Sequence, residues 1–217
     1  MPYIPDDTTF SLEQVEKRIL DTDLIPSMEV LKTCISSISN KLRGYQIRSL
    51  EEIRIALKTK AKLHQVSCEL KINEEHLVLL KREIDGWKPK VRKIDELNWI
   101  KPKEISVLKT SGITTSEDAY NHLSNKKEMA DIIKRGISSS TIEEVYKIAS
   151  LLRVRWVSPT FGRIINDIGY DVEKLKKANA EMLTKETDDY NKSKQYYKGK
   201  VGVRDIRRLI NEAQYVN

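Results

Sequence analysis

Little in this sequence turns the chain sharply. Eight glycines and six prolines in 217 residues, with aromatics at only 6%, argue against the short strands and frequent turns of an all-β fold. Cysteine is rarer still. Cys34 and Cys68 stand alone in a chain long enough to build its own core, so they are expected as buried free thiols in a reducing compartment rather than as a disulfide. His64, His76 and His122 are read as lacking a spaced partner among the cysteines and histidines, so no metal site and no cofactor is expected. Hydrophobic runs are short, the longest aliphatic one being Leu77 to Leu80. Met1 to Asp7 lacks the basic start and apolar stretch of a signal peptide. The expectation is a cytoplasmic protein without membrane association.

Catalytic signatures are missing as well. The chain holds no GxxxxGK, GxGxxG, GxSxG or HExxH. Asp188-Asp189 and Glu74-Glu75 are paired only in sequence, because neighbours on a helix point in different directions. No enzyme is expected.

Charge and helical periodicity are abundant. One residue in three is charged, and 39 Lys and Arg against 32 Asp and Glu leave a net charge of +7. That surplus is uneven, with 17 bases and 16 acids in residues 1–100 against 22 and 16 in residues 101–217. Ser11-Leu12-Glu13-Gln14 reads as a capping box opening a helix to about Asp21. Val30, Leu31, Ile35, Ile38 and Leu42 recur at helical spacing up to a turn at Gly44. Leu50 to Leu70 reads as one further amphipathic run, with Arg54, Lys58 and Lys62 four apart on another, solvated face. A helix starts at Asn73 and ends by Gly86-Trp87, before the basic, proline-broken connector Lys88 to Lys93. Beyond it, Pro102 fits a first helical turn, Thr115 and Ser140 read as caps, and Pro159 opens a helix running toward Gly169. Val172 to Leu183, a Tyr- and Lys-rich segment and a last helix from about Val203 to Ala213 complete an all-α chain.

Two stretches repeat. Trp99-Ile100-Lys101-Pro102 through Gly112-Ile113 aligns without a gap on Trp156-Val157-Ser158-Pro159 through Gly169-Tyr170, and a weaker copy runs from Leu24-Ile25-Pro26 to Gly44-Tyr45. These residues resemble the tandem helix-hairpin-helix family, in particular an uncharacterised bacterial domain of unknown function built from consecutive hairpin units. The resemblance covers about 94–215 well and 22–87 loosely. It implies about three degenerate units: a segment 1–21 with a short helix, a divergent first unit 22–87, a basic linker 88–93, a second unit 94–155 and a third unit 156–217 with a basic C-terminal helix.

The resemblance further implies a tight turn whose amides hold a backbone phosphate, aided by the helix dipole and a cation. Its two turn glycines are replaced here, by Trp99 and Lys101 in one copy and by Trp156 and Ser158 in the other, and such side chains would obstruct a close backbone approach. Lys101 and Lys103, or Ser158, Thr160 and Arg163, remain as candidate anion contacts, although Ser158 before Pro159 is also an ordinary cap and both Trp residues read as core plugs. A basic cluster, Lys192, Lys194, Lys198, Lys200, Arg204, Arg207 and Arg208, is opposed in sequence only by Asp205 and interleaved with Tyr190, Tyr196 and Tyr197. The expected function is therefore non-catalytic binding of the DNA or RNA backbone. The alternative is a helical scaffold for a protein partner, anchored by exposed residues such as Trp87 and the tyrosines.

Overall fold

Each amphipathic, capped segment becomes a helix in the computed structural model, which describes residues 2–216 and contains, among them, thirteen α-helices and no strand. The chain divides into two units, residues 5–88 and residues 2–4 with 89–216, each around its own hydrophobic core. No helix of the described residues is long and apolar enough to cross a membrane.

In the unit of residues 5–88, Ser11 and Gln14 form the capping box that starts α1 (Leu12–Asp21), Gln14 N–H donating to Ser11 Oγ at 3.3 Å and Ser11 N–H to Gln14 Oε1 at 2.7 Å. The apolar stripe Leu31, Ile35, Ile38 and Leu42 of α2 (Val30–Gly44) is buried in the core shared with Val15 and Ile19 of α1. The run expected over residues 50–70 is instead two helices, α3 (Leu50–Ala56) and α4 (Lys60–Leu70). Thr59 breaks it by accepting Lys62 N–H at 3.2 Å, a cap competing with helix continuation. Arg54, Lys58 and Lys62 are thus not one stripe. Arg54 is tied down by Asp7 at 2.8 Å, Asp85 at 3.0 Å and the Ile84 carbonyl at 2.6 Å. After α5 (Glu74–Asp85), Trp87 is buried, donating to Glu83 at 3.0 Å under the Arg18 guanidinium, and so is no exposed anchor.

The other unit runs through α6 (Pro102–Thr110), α7 (Ser116–Leu123), α8 (Lys126–Lys134), α9 (Ser139–Leu151), α10 (Pro159–Asp167), α11 (Val172–Lys176), α12 (Ala180–Lys194) and α13 (Val203–Ala213). Ser138 rather than Ser140 caps α9, accepting Thr141 N–H at 3.1 Å. The segment from Val172 to Leu183 is divided by Asn179, which caps α12 through Met182 N–H at 2.9 Å. Nothing in the sequence reading anticipated α8, whose one fully buried residue is Ile132.

Helix ends share a closure. Four junctions place a residue in the left-handed region, Gln46, Lys71, Gly112 and Gly169, at φ of 66°, 51°, 86° and 88°. The next residue's N–H returns to a carbonyl five residues back, as Ile47 to Leu42, Ile72 to Ser67, Ile113 to Leu108 and Tyr170 to Ile165, each at 3.0 Å. Within two residues a polar side chain, Ser49, Asn73, Thr115 or Asp171, caps the following helix. At the first junction the left-handed position is Gln46; Gly44 is the last residue of α2.

A fully buried phenol closes the second core. Tyr3 shares a 2.9 Å hydrogen bond with Ser116 Oγ, which also accepts Arg92 N–H at 2.9 Å, while Arg153 Nε donates to the Tyr3 carbonyl at 3.2 Å. Burial pushes the Tyr3 hydroxyl above its ordinary pKa. Tyr3→Ala is expected to destabilise this unit by about 3 kcal/mol through the cavity it leaves. Tyr3→Phe, losing the bond with Ser116 and a long 3.4 Å one to the Lys90 carbonyl while Ser116 still accepts Arg92 N–H, should cost about 1 to 2 kcal/mol. Denaturant titration followed by circular dichroism measures both.

Candidate functional site

Trp156 has the least ordinary backbone of the aromatic residues described. It lies in the turn between α9 and α10 with φ of 70°, a conformation glycine adopts freely and a bulky side chain does not. The aligned Trp99 is not in that region. The elements before the two turns also differ: α9 leads into Trp156, whereas a single 3-10 turn, Ile94–Glu96, leads toward Trp99. A tryptophan thus holds a glycine-like conformation in this turn.

The two tryptophans have separate fates. Trp99 is half-buried against the core and donates to Glu144 Oε1 of α9 at 2.7 Å. Trp156 is 49% exposed, so the expectation of a core plug fails for it. Its ring instead carries the guanidinium of Arg155 at 4.3 Å from the centroid, with that of Arg208 at 5.9 Å.

Beside Trp156 opens a cleft of about 310 Å³ whose walls include Ser158 and Phe161 of the α10 start, Tyr197 and Lys200 of the loop between α12 and α13, and Arg208 of α13. Ser158 caps α10, accepting Phe161 N–H at 3.2 Å. Tyr197, 46% exposed, is fixed by Asn191 of α12, whose amide oxygen accepts Tyr197 N–H at 2.9 Å and whose amide nitrogen donates to the Tyr197 carbonyl at 2.7 Å. Gly199 lets the ring lie against the loop, since a Cβ there would come within 2.8 Å of Tyr197 Cε1. Tyr197 and Lys200 also line an adjoining cleft of about 510 Å³ with Lys192 and Lys198. Asn191 and Gly199 escaped sequence reasoning, because their roles depend on where the loop returns to α12.

Of the candidate residues, Ser158, Lys200 and Arg208 meet at the first cleft, and Lys192, Lys198 and Lys200 at the second. Lys101 and Lys103 are exposed on the first turn of α6 and line neither. Thr160 is half-buried in the first turn of α10, and Lys194 and Arg204 are exposed. Arg163 is held between neighbours: its guanidinium lies 4.8 Å from the Trp99 centroid and 4.2 Å from that of Tyr196, with Nε 3.7 Å from Asp167. Asp167 also accepts from Tyr190 at 2.8 Å, and burial together with that bond raises the Tyr190 pKa. The basic cluster has more opposition than Asp205, since Glu181 pairs with Arg207 and Asp189 holds Lys192 at 3.0 Å, raising the Lys192 pKa.

The sequence model of a family described as a domain of unknown function, DUF4332, matches residues 98–216. The chain belongs to this family. The DUF4332 match takes in α6 to α13 and both clefts, and leaves residues 5–88 outside it. No curated protein and no solved structure matches the chain.

A second grouping lies in the unit of residues 5–88. His64 and Cys68 are four apart on α4, a helical spacing that the sequence reading passed over, and Sγ comes within 3.6 Å of Nε2 while Nδ1 lies 2.7 Å from Glu74 Oε2. Cys68 is exposed rather than buried, and Cys34 is half-buried. Burial raises the Cys34 pKa, so less of it is thiolate at neutral pH. At pH 7.5 iodoacetamide is expected to label Cys68 at least severalfold faster than Cys34, and the gap should narrow as pH rises toward 9.5; timed peptide mass mapping checks this.

Proposed function

We propose that the DUF4332 segment is a non-catalytic nucleic-acid-binding module made of degenerate helix-hairpin-helix units. It contacts the phosphate backbone through the α9–α10 turn and the basic loop and helix that follow α12. The observation that supports it best is the meeting of Ser158, Lys200 and Arg208 around an exposed Trp156 in one cleft. Cations beside a helix start favour an anion there, and phosphate is the anion repeated along a nucleic acid. The resemblance to hairpin units points the same way, as does the concentration of positive charge in residues 101–217.

The alternative, a protein-interaction scaffold, draws on the same exposed Trp156 and Tyr197 as anchors. Salt separates the two. Counterion release makes phosphate binding fall steeply with ionic strength, whereas an apolar groove gripping a protein tolerates salt.

Lys198 and Lys200 are exposed, which makes them better probes than Arg163, whose removal would disturb Trp99 and Tyr196. Lys198→Ala with Lys200→Ala is expected to weaken binding about tenfold at low salt and to lessen the slope of log K against log salt by about two. Gel shifts from 25 to 200 mM salt measure both. Equal retention of wild type and variant at every salt concentration would reject the phosphate reading.

A further inference from the structure

We infer that the cleft between Trp156 and Tyr197 takes an unpaired nucleobase, so that the ligand is single-stranded nucleic acid. The inference rests on the reading above and names which form of nucleic acid the same site selects. Phosphate contact alone needs cations at a surface and does not need aromatic rings. Here two rings border a concavity, Trp156 at 49% and Tyr197 at 46% exposure, with Phe161 and Leu209 giving it an apolar lining. Such a space suits a flat apolar face rather than a phosphate. A duplex hides those faces in its stack, whereas a single strand can present one to an aromatic ring.

The charges around the rings suit the atoms attached to a base. Lys200 and Arg208 are within the same walls, and the Arg155 guanidinium lies over the Trp156 ring. A sugar-phosphate leaving the base would meet Lys200 and Arg208, while Arg155 covers the ring and lies 3.8 Å from the buried Glu212. Asp205 also lines the cleft, with one carboxylate oxygen accepting Gly202 N–H at 3.2 Å, and as an acceptor it suits the N–H edge of a base rather than a phosphate. The adjoining cleft shares Tyr197 and Lys200 and adds Lys192 and Lys198, which gives the neighbouring nucleotide a ring and cations of its own.

Trp156 also keeps its strained backbone without burying its side chain. The φ of 70° would be relieved by glycine, and a ring left half in solvent contributes little to the core. Inside the fold the ring is held by the Arg155 guanidinium at 4.3 Å from its centroid, and its exposed part borders the cleft. The volume of about 310 Å³ lies near the lower end of small-ligand pockets, roughly 300–1,000 Å³, which fits one base better than a larger planar ligand.

The test uses the full chain, the 20-mer (dT)20 and a 20-base-pair duplex, at 50 mM salt. Wild type is expected to bind (dT)20 more tightly than the duplex and to show quenched tryptophan emission on binding it. Trp156→Gly should lose that quench and bind (dT)20 about ten- to a hundredfold more weakly, with a melting temperature unchanged or raised. Trp156→Phe, which keeps a ring, should recover most of the affinity. If Trp156→Gly binds (dT)20 as well as wild type, or if wild type prefers the duplex, the base-stacking cleft is rejected while phosphate binding stands. If wild type binds neither probe, both readings fall together.

Discussion

Short helices cannot stand alone in water, and those of this chain are only 5 to 15 residues long. What makes them persist is the burial of their apolar faces in a core, and at four places a closed junction sets the next helix onto that core. A left-handed residue ends one helix, the next amide returns to a carbonyl inside it, and a polar cap starts the following helix almost at once. The carbonyls and amides that helix ends otherwise leave to water are satisfied within a few residues. Because the aliphatic residue of three of these junctions, Ile47, Ile72 or Ile113, is itself buried, the same device that ends a helix also fastens its end to the core. The directions taken by α3, α5, α7 and α11 depend on that closure.

Much of this was legible because capping is local. Ser11, Asn73 and Thr115 announce their helices through side chains that reach only two or three residues, and Pro102 and Pro159 mark first turns by lacking an amide that needs a partner. Where reading failed, two local signals competed. Residues 50 to 70 have continuous helical periodicity, but Thr59 offers a cap in the middle of it, and the cap prevails. Gly44 resembled a stop, yet the left-handed turn falls on Gln46, since the return bond must come from an amide whose side chain, Ile47, reaches the core.

The cleft was less legible, for a different reason. Ser158, Lys200 and Arg208 were all visible as candidates, but their meeting depends on how the loop after α12 returns past the start of α10. Arg163 and Asn191 position that loop. One packs against Tyr196, and the other clasps the backbone of Tyr197. Neither role leaves a mark at fixed spacing. Glu181 likewise pairs with Arg207 from another helix, so counting charges along the chain overstated how far the basic cluster stood unopposed.

Tyr3 makes the second unit discontinuous. Residues 2–4 belong to it, residues 5–88 form the other unit, and the chain then comes back at residue 89. During ribosomal synthesis the phenol emerges long before Ser116, Tyr120 and Arg153 exist to receive it, so its docking must wait until the chain has been made past Arg153. A fragment cut to the family boundaries would have Ser116 and Arg153 but no plug to set between them. A recombinant piece confined to the family segment therefore needs a permuted or grafted first segment if it is to carry an intact interior.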